Sequence, residues 1–330
     1  MRSVAGKLIA SGALLAGLGM PEVNAADSSA VAQDGSPVEL VFTAKVDKEP
    51  LLCGKTYRRI GKTHAAIFIQ DFRIYVSAIR LISQDGNEVP VTLTPDAVWQ
   101  SDRVALLDFE NAAGNCNGNA AMNDRVRASA PAGEYRGVVF EIGVPFEQNH
   151  QDPTLAAAPL NYSALTWPWS IGYKFTTIDF DTAPTKRGAA PVTMATPAHG
   201  APAVGKNAPG TRVSSMSMHG ASHSATGFSI HLGSMECASK GPRVPPAVPC
   251  GSPNRPTYRF DSFDPHKQQL VMDLASLLAG TDVTVNMPGS PSGCMSAATD
   301  DDCVDIMNRL GLAFRGRPSS GQQFIRVEAR

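Results

Sequence analysis

The chain has 330 residues, with 29 basic against 30 acidic side chains and a formal net charge of −1. So even a balance argues against nucleic acid or an anionic membrane surface as partner. With 43% hydrophobic residues it can bury a full core, while 29 glycines and 25 prolines favour many turns over long helices.

Arg2 and Lys7 flank or precede an apolar stretch from Leu8 to Gly19, and Val23-Asn24-Ala25 offers a small-x-small cleavage pattern. The run is shorter than the roughly 20 apolar residues of a membrane span. Residues 1–25 therefore read as a signal peptide, and the protein as exported and not membrane-embedded. Residues 26–37 read as a flexible N-terminus and 38–330 as a single β domain.

That domain opens with "VELVFTAKV", where Val38, Leu40, Phe42, Ala44 and Val46 share one face, as a half-buried strand requires. "DFRIYVSAIRLI" is rich in β-branched and aromatic residues, with "QDGN" as the turn after it. "VPVTLT", "VALLDFE", "GEYRGVVFEIGVP", "GYKFTTIDF" and "FSIHLGS" continue the pattern. Strands without intervening amphipathic helices predict an all-β fold, an antiparallel sandwich or barrel-like structure. Short helices are expected only in "KQQLVMDLASLLAG" and in "DDCVDIMNRLGL", where Asp300 to Asp302 suit a helix N-terminus. Residues 183–226 break the rhythm: they are loaded with Ala, Pro, Gly, Ser and Thr and read as a flexible insertion.

The six cysteines, Cys53, Cys116, Cys237, Cys250, Cys294 and Cys303, form an even set in an exported chain, which points to disulfides. Proximity pairs Cys237 with Cys250 and Cys294 with Cys303, leaving Cys53 with Cys116. No C-x-x-C pair suggests a thiolate metal site.

The chain carries no Walker A loop, G-x-S-x-G, H-E-x-x-H or dinucleotide-type glycine fingerprint. Chemistry then falls to the histidines and tryptophans. "MSMHGASH" in the insertion sets Met216 and Met218 beside His219 and His223, a soft ligand set suited to Cu(I) as an accessory loop, or simply a polar linker. His64 and His266 read as exposed loop residues. His150, after a strand in "VPFEQNH", and His231, within the strand "FSIHLGS", each read singly as structural histidines. Together, on rigid elements, they read as a metal pair. Two of the three tryptophans, Trp167 and Trp169, sit one proline apart in "LTWPWSIGYKF"; Trp99 is the third. Pro168 fixes the local backbone and removes a donor, which predicts an edge or loop position.

These segments together resemble the MbnP family of periplasmic copper-binding proteins associated with methanobactin operons. The resemblance runs through "CGKTY", "DFRIYVSAIRL", "VALLDFENAAGNC", "GEYRGVVFEIGVPFEQNHQDP", "PLNYSALTWPWSIGYKF", "FSIHLGSMEC", "CGSPNR" and "GCMSAATDDDCVDIMNRLGL". It implies a periplasmic location and copper held by histidines, here His150 and His231, together with a tryptophan oxidised to kynurenine. It also implies a dihaem cytochrome c peroxidase-like partner, MbnH, which performs that oxidation, and an outer-membrane copper importer as a further partner. The chain is then a substrate of the modifying enzyme and no catalyst. Trp167 ranks first among the candidates Trp167, Trp169 and Trp99, because adjacent indoles offer a hopping route to a haem oxidant. A second reading is a disulfide-stapled exported β-sandwich for adhesion or glycan binding, without metal. That reading requires Trp167 and Trp169 on an exposed ridge and the two histidines apart.

Overall fold

The computed structural model describes residues 35–183 and 227–330. The expected signal peptide, most of the N-terminal segment, and the insertion with Met216, Met218, His219 and His223 lie outside the described residues.

The first strands are β1 (Gly35–Val46), β2 (Glu49–Pro50), β3 (Thr56–Ile60), β4 (Ala65–Ser83), β5 (Glu88–Pro90), β6 (Thr92–Leu93) and β7 (Val104–Asp108). They are followed by β8 (Arg125–Pro131), β9 (Tyr135–Ile142), helix α1 (Phe146–Asn149), β10 (Thr176–Ala183) and β11 (Gly227–Leu232). The C-terminal part adds β12 (Thr257–Phe260), β13 (Gln268–Asp273), α2 (Leu274–Leu278), β14 (Gly293–Cys294), α3 (Cys303–Leu310) and β15 (Ile325–Ala329). One sheet runs β15-β13-β1-β8-β6, with β2 beside β1. The other runs β12-β9-β4-β10-β11-β14, with β3, β5 and β7 also on β4.

The all-β expectation holds, with one refinement: β1–β13 and β11–β14 pair in parallel while the other pairings are antiparallel. On β1 the alternating face is as expected, with Leu40, Phe42, Ala44 and Val46 all buried. Phe42 meets Phe140 of β9 edge-on at 5.6 Å, so this face and the β9 face close one core between the sheets. The expected helix at "KQQLVMDLASLLAG" is divided between a strand and a short helix. Gln268 to Asp273 pair with both β1 and β15, and only Leu274 to Leu278 are helical. Asp273 makes the switch, because its carboxylate accepts from the backbone N–H groups of Ala275 and Ser276. At the other expected helix, Asp302 stands at the N-cap of α3 but its carboxylate accepts from Met287 N instead of capping.

All three expected disulfides are present: Cys53–Cys116, Cys237–Cys250 and Cys294–Cys303. Cys53–Cys116 ties residues 63 apart in sequence. Replacing both with alanine is expected to lower unfolding free energy by about 2–5 kcal/mol, chiefly by freeing the unfolded chain. Denaturant midpoints of the variant and parent check this.

β4 is the spine of the second sheet. Register places Val76 opposite Ile142 of β9, so Phe72, Ile74 and Val76 share the core side with Phe140. Alternation then puts Asp71, Arg73, Tyr75 and Ser77 on the other side, and each of them is buried. Loops cover this second side: the Tyr75 hydroxyl donates to the Pro159 carbonyl, and its ring meets Tyr173 edge-on.

Candidate functional site

The covered face carries a row of polar side chains. Register aligns Asp108 of β7, Arg73 of β4, Thr177 of β10 and His231 of β11, with Asp71 opposite Asp179 in the next row. Arg73 and Asp71 form a two-pronged ion pair, and Arg73 Nε donates to Asp71 Oδ1 at 2.8 Å. His231 Nε2 lies 2.8 Å from Asp179 Oδ1. A carboxylate only accepts, so Nε2 carries the hydrogen and any metal bond from this ring is made by Nδ1.

Asp108 is 1% exposed, and its Oδ2 has no hydrogen-bond partner. Burial pushes its carboxyl up to about 7, with the nearby Arg73 guanidinium and the Glu110 N–H opposing the shift. A carboxyl whose folded pKa is raised stabilises the fold while protonated, below its unfolded value near 4. That contribution is lost as pH rises through about 7. Asp108→Asn keeps the acceptor for Glu110 N and removes the titration. Urea midpoints measured from pH 4 to 8 are expected to fall less steeply with rising pH than in the parent.

The tryptophan segment is a small hairpin. Lys174 N donates to Leu165 O, Trp167 N donates to Gly172 O, and Ile171 N and Gly172 N both donate to Pro168 O. Pro168 thus sits in the turn, as its missing donor predicts. Gly172 has φ +99, and a Cβ there would lie 2.4 Å from the Asn149 carbonyl oxygen, so both conformation and space require glycine.

Both histidines touch this hairpin. The Trp167 ring lies 6.4 Å from the His231 ring, centre to centre, and closes over Gly233. On the other flank His150 Nδ1 is 2.7 Å from the Trp169 carbonyl oxygen. A carbonyl only accepts, so Nδ1 carries the hydrogen and Nε2 presents its lone pair. Burial holds the His150 imidazole below the ordinary histidine range, partly opposed by the bond to Trp169, which keeps that lone pair available at neutral pH. Asn149 fastens the parts together. Its Oδ1 accepts from Tyr173 N, its Nδ2 donates to Ser234 Oγ at 3.3 Å, and Nδ2 also lies 3.3 Å from His150 Nε2. Ser234 follows closely on His231 at the exit of β11.

Trp167 and Trp169 are half-buried rather than ridge-exposed. Trp169 and His150 line a cleft of about 470 Å³ together with Phe146, Leu155, Pro245 and Pro246. Trp99 sits in a different loop, where its backbone N–H donates to Asp96 and its carbonyl accepts from Leu106. Among the described tryptophans, Trp167 alone has a ring contact with a histidine.

Two neighbours of His150 and His231 were not visible in the sequence. Asp179 could have been suspected only once its strand was paired with β11. Cys250 Sγ lies 3.7 Å from His150 Nε2, although the two residues are 100 apart in sequence. Its partner Cys237 completes a group in which one ligand-type atom from each residue lies within 4.8 Å of the others. Cys53, Glu110 and Cys116 make a similar group, but there the Glu110 carboxylate accepts from Ala112 N and Asn119 N.

Both rings are held by partners in defined tautomers, and one of those partners is a carboxylate, the arrangement that orients metal-bound histidines. The indole of Trp167 cannot ligate, because its N–H only donates.

A family model described as MbnP matches residues 35–296 of this chain. Among solved structures, MbnP from Methylosinus trichosporium is similar with a TM-score of 0.70 and 28% identity, over 89% of this chain and 98% of that one. No curated protein matches the chain. A match over this much of the chain, on the fold that carries both histidines and the tryptophan hairpin, places the protein in the MbnP family.

Proposed function

We propose that this chain is an exported, periplasmic copper-binding protein with a methanobactin-associated role in copper acquisition, storage or delivery. In this reading it is not an enzyme. It is matured when a dihaem MbnH-like partner oxidises Trp167 to kynurenine, and His150 and His231 then hold copper with the new group. The observation that carries this is the hairpin: Trp167 packs on the ring of His231, and the Trp169 carbonyl fixes the ring of His150. Of the three candidate tryptophans, Trp167 is therefore the one we assign.

The chemistry explains why an indole is used at all. With two equivalents of peroxide as oxidant, the haem partner cleaves the indole C2–C3 bond, adding two oxygen atoms and releasing two waters, and hydrolysis then removes formate. The product is an aromatic amine and a ketone, where the indole offered only a donor. Bound copper would supply no more here than a soft-to-borderline cation held for transfer. His231, held by Asp179, and His150, held by Trp169, supply the preformed imidazoles.

Co-production with a dihaem peroxidase-like partner tests the reading. Peptide mass spectrometry is expected to find a net gain of one oxygen and loss of one carbon at Trp167, with copper retained after desalting. Intact tryptophans together with copper-free protein would overturn it. Modification at Trp169 would keep the function and correct the residue.

A further inference from the structure

We propose that Cys237, Cys250 and His150 form a second, reduction-gated Cu(I) site, open when the disulfide is reduced to two thiols. The proposal shares His150 with the reading above but does not depend on tryptophan oxidation.

Three observations carry it. The Nε2 lone pair of His150, set by the bond from Nδ1 to the Trp169 carbonyl, accepts from Asn149 Nδ2 at 3.3 Å and lies 3.7 Å from Cys250 Sγ, so a metal there would displace one amide hydrogen bond. The two sulfurs and one ring nitrogen lie within 4.8 Å of one another, so a single ion can meet all three after small side-chain movements. The site is also reachable. Cys237 is partly exposed, and the cleft against His150 is walled by Pro245 and Pro246, which belong to the loop that the disulfide closes. Two thiolates and one imidazole are a soft, three-coordinate set that favours Cu(I) over hard cations.

The other sulfur cluster lacks these features. The Glu110 carboxylate beside Cys53–Cys116 is occupied by two backbone donors and is fully buried.

The step balances with a dithiol reductant. Two electrons and two protons pass from the dithiol to the Cys237–Cys250 bond, giving two thiols and leaving the reductant as its own disulfide. Cu(I) then displaces the two thiol protons. Reduction thus converts a loop staple into a ligand pair at the flank of His150.

The test uses full-length protein with intact tryptophans, reduced anaerobically with dithiothreitol and desalted. Alkylation and mass spectrometry identify which cysteines opened, and circular dichroism checks that the fold persists. Cu(I) is titrated against a chromophoric chelator. We expect Cys237 and Cys250 to open with the fold intact and one added Cu(I) to bind, with sulfur scattering in its X-ray absorption spectrum. His150→Gln leaves the disulfide in place. After reduction it is expected to bind that Cu(I) on the order of 100-fold more weakly, since loss of outer partners alone costs about 10–100-fold. Cys237→Ser with Cys250→Ser should remove the added equivalent; should that variant misfold, His150→Gln decides. No added Cu(I), undiminished binding in His150→Gln, or a pair that opens only on unfolding would each overturn the proposal. Because the protein is unmodified and reduced, these outcomes are independent of whether oxidised, kynurenine-bearing protein holds copper.

Discussion

His231→Ala is expected to reduce copper affinity in the matured protein by about 100-fold or more, because in the proposed site it removes a ligand whose tautomer is already set by Asp179. Asp179→Asn provides the graded comparison. It leaves the imidazole in place but replaces the carboxylate that accepts from Nε2 at 2.8 Å. Outer partners of this kind typically contribute about 10–100-fold in metal affinity. The expected order of affinity is therefore parent, then Asp179→Asn, then His231→Ala. Trp99→Phe serves as the control, with copper loading unchanged, since Trp99 sits in the Asp96 turn and not in the hairpin. Competition titrations with a chelator of known affinity read all four. Equal affinity in His231→Ala and parent would remove His231 from the site.

Gly233→Ala is expected to disturb the fold and the contact between Trp167 and His231 together. Its Cβ would stand 2.4 Å from Cζ3 of Trp167 and 2.9 Å from the Tyr173 carbonyl oxygen. The first is a ring that packs on His231, the second backbone in the hairpin, so neither yields without moving the site. Overpacking of this kind costs about 1–3 kcal/mol of stability. The indole must swing away from His231, so Trp167 oxidation is expected to fall together with the urea midpoint. An oxidation yield equal to the parent would mean that the contact between the two rings is not what selects this tryptophan.

Much of the fold was legible because alternation is a local property. β1 shows its inward face directly in the order of Val38, Leu40, Phe42, Ala44 and Val46. Misreading β13 as helix has an equally local cause. "LVMDLASLL" is apolar apart from Asp273 and Ser276 and shows no strand alternation, and its parallel pairing with β1 depends on residues more than 200 positions away. β8, β12 and β15 were missed because arginine, glutamate and short length disguise edge or half-exposed strands. His150, His231 and the two hairpin tryptophans could be picked out as residue types in plausible elements. Their mutual contacts could not, nor could the choice of Trp167, because these depend on the turn at Pro168 and the close approach allowed by Gly233. The disulfide beside His150 was correctly paired from sequence, but its closeness to that ring arises only from tertiary packing.

The two histidines stand on supports of unequal firmness. His231 lies in a strand paired with β10 on one side and β14 on the other, and its own carbonyl accepts from Ser296 Oγ. His150 ends a four-residue helix with no side-chain cap, held mainly through Asn149 and one carbonyl. Amide hydrogen exchange should therefore protect β11 up to global unfolding while the α1 end opens in smaller, more frequent excursions. Ligand exchange would begin at the His150 flank, next to the open cleft. In the proposed copper-bound state, a recipient for the metal would approach there, first displacing His150 and leaving His231 as the last bond to break.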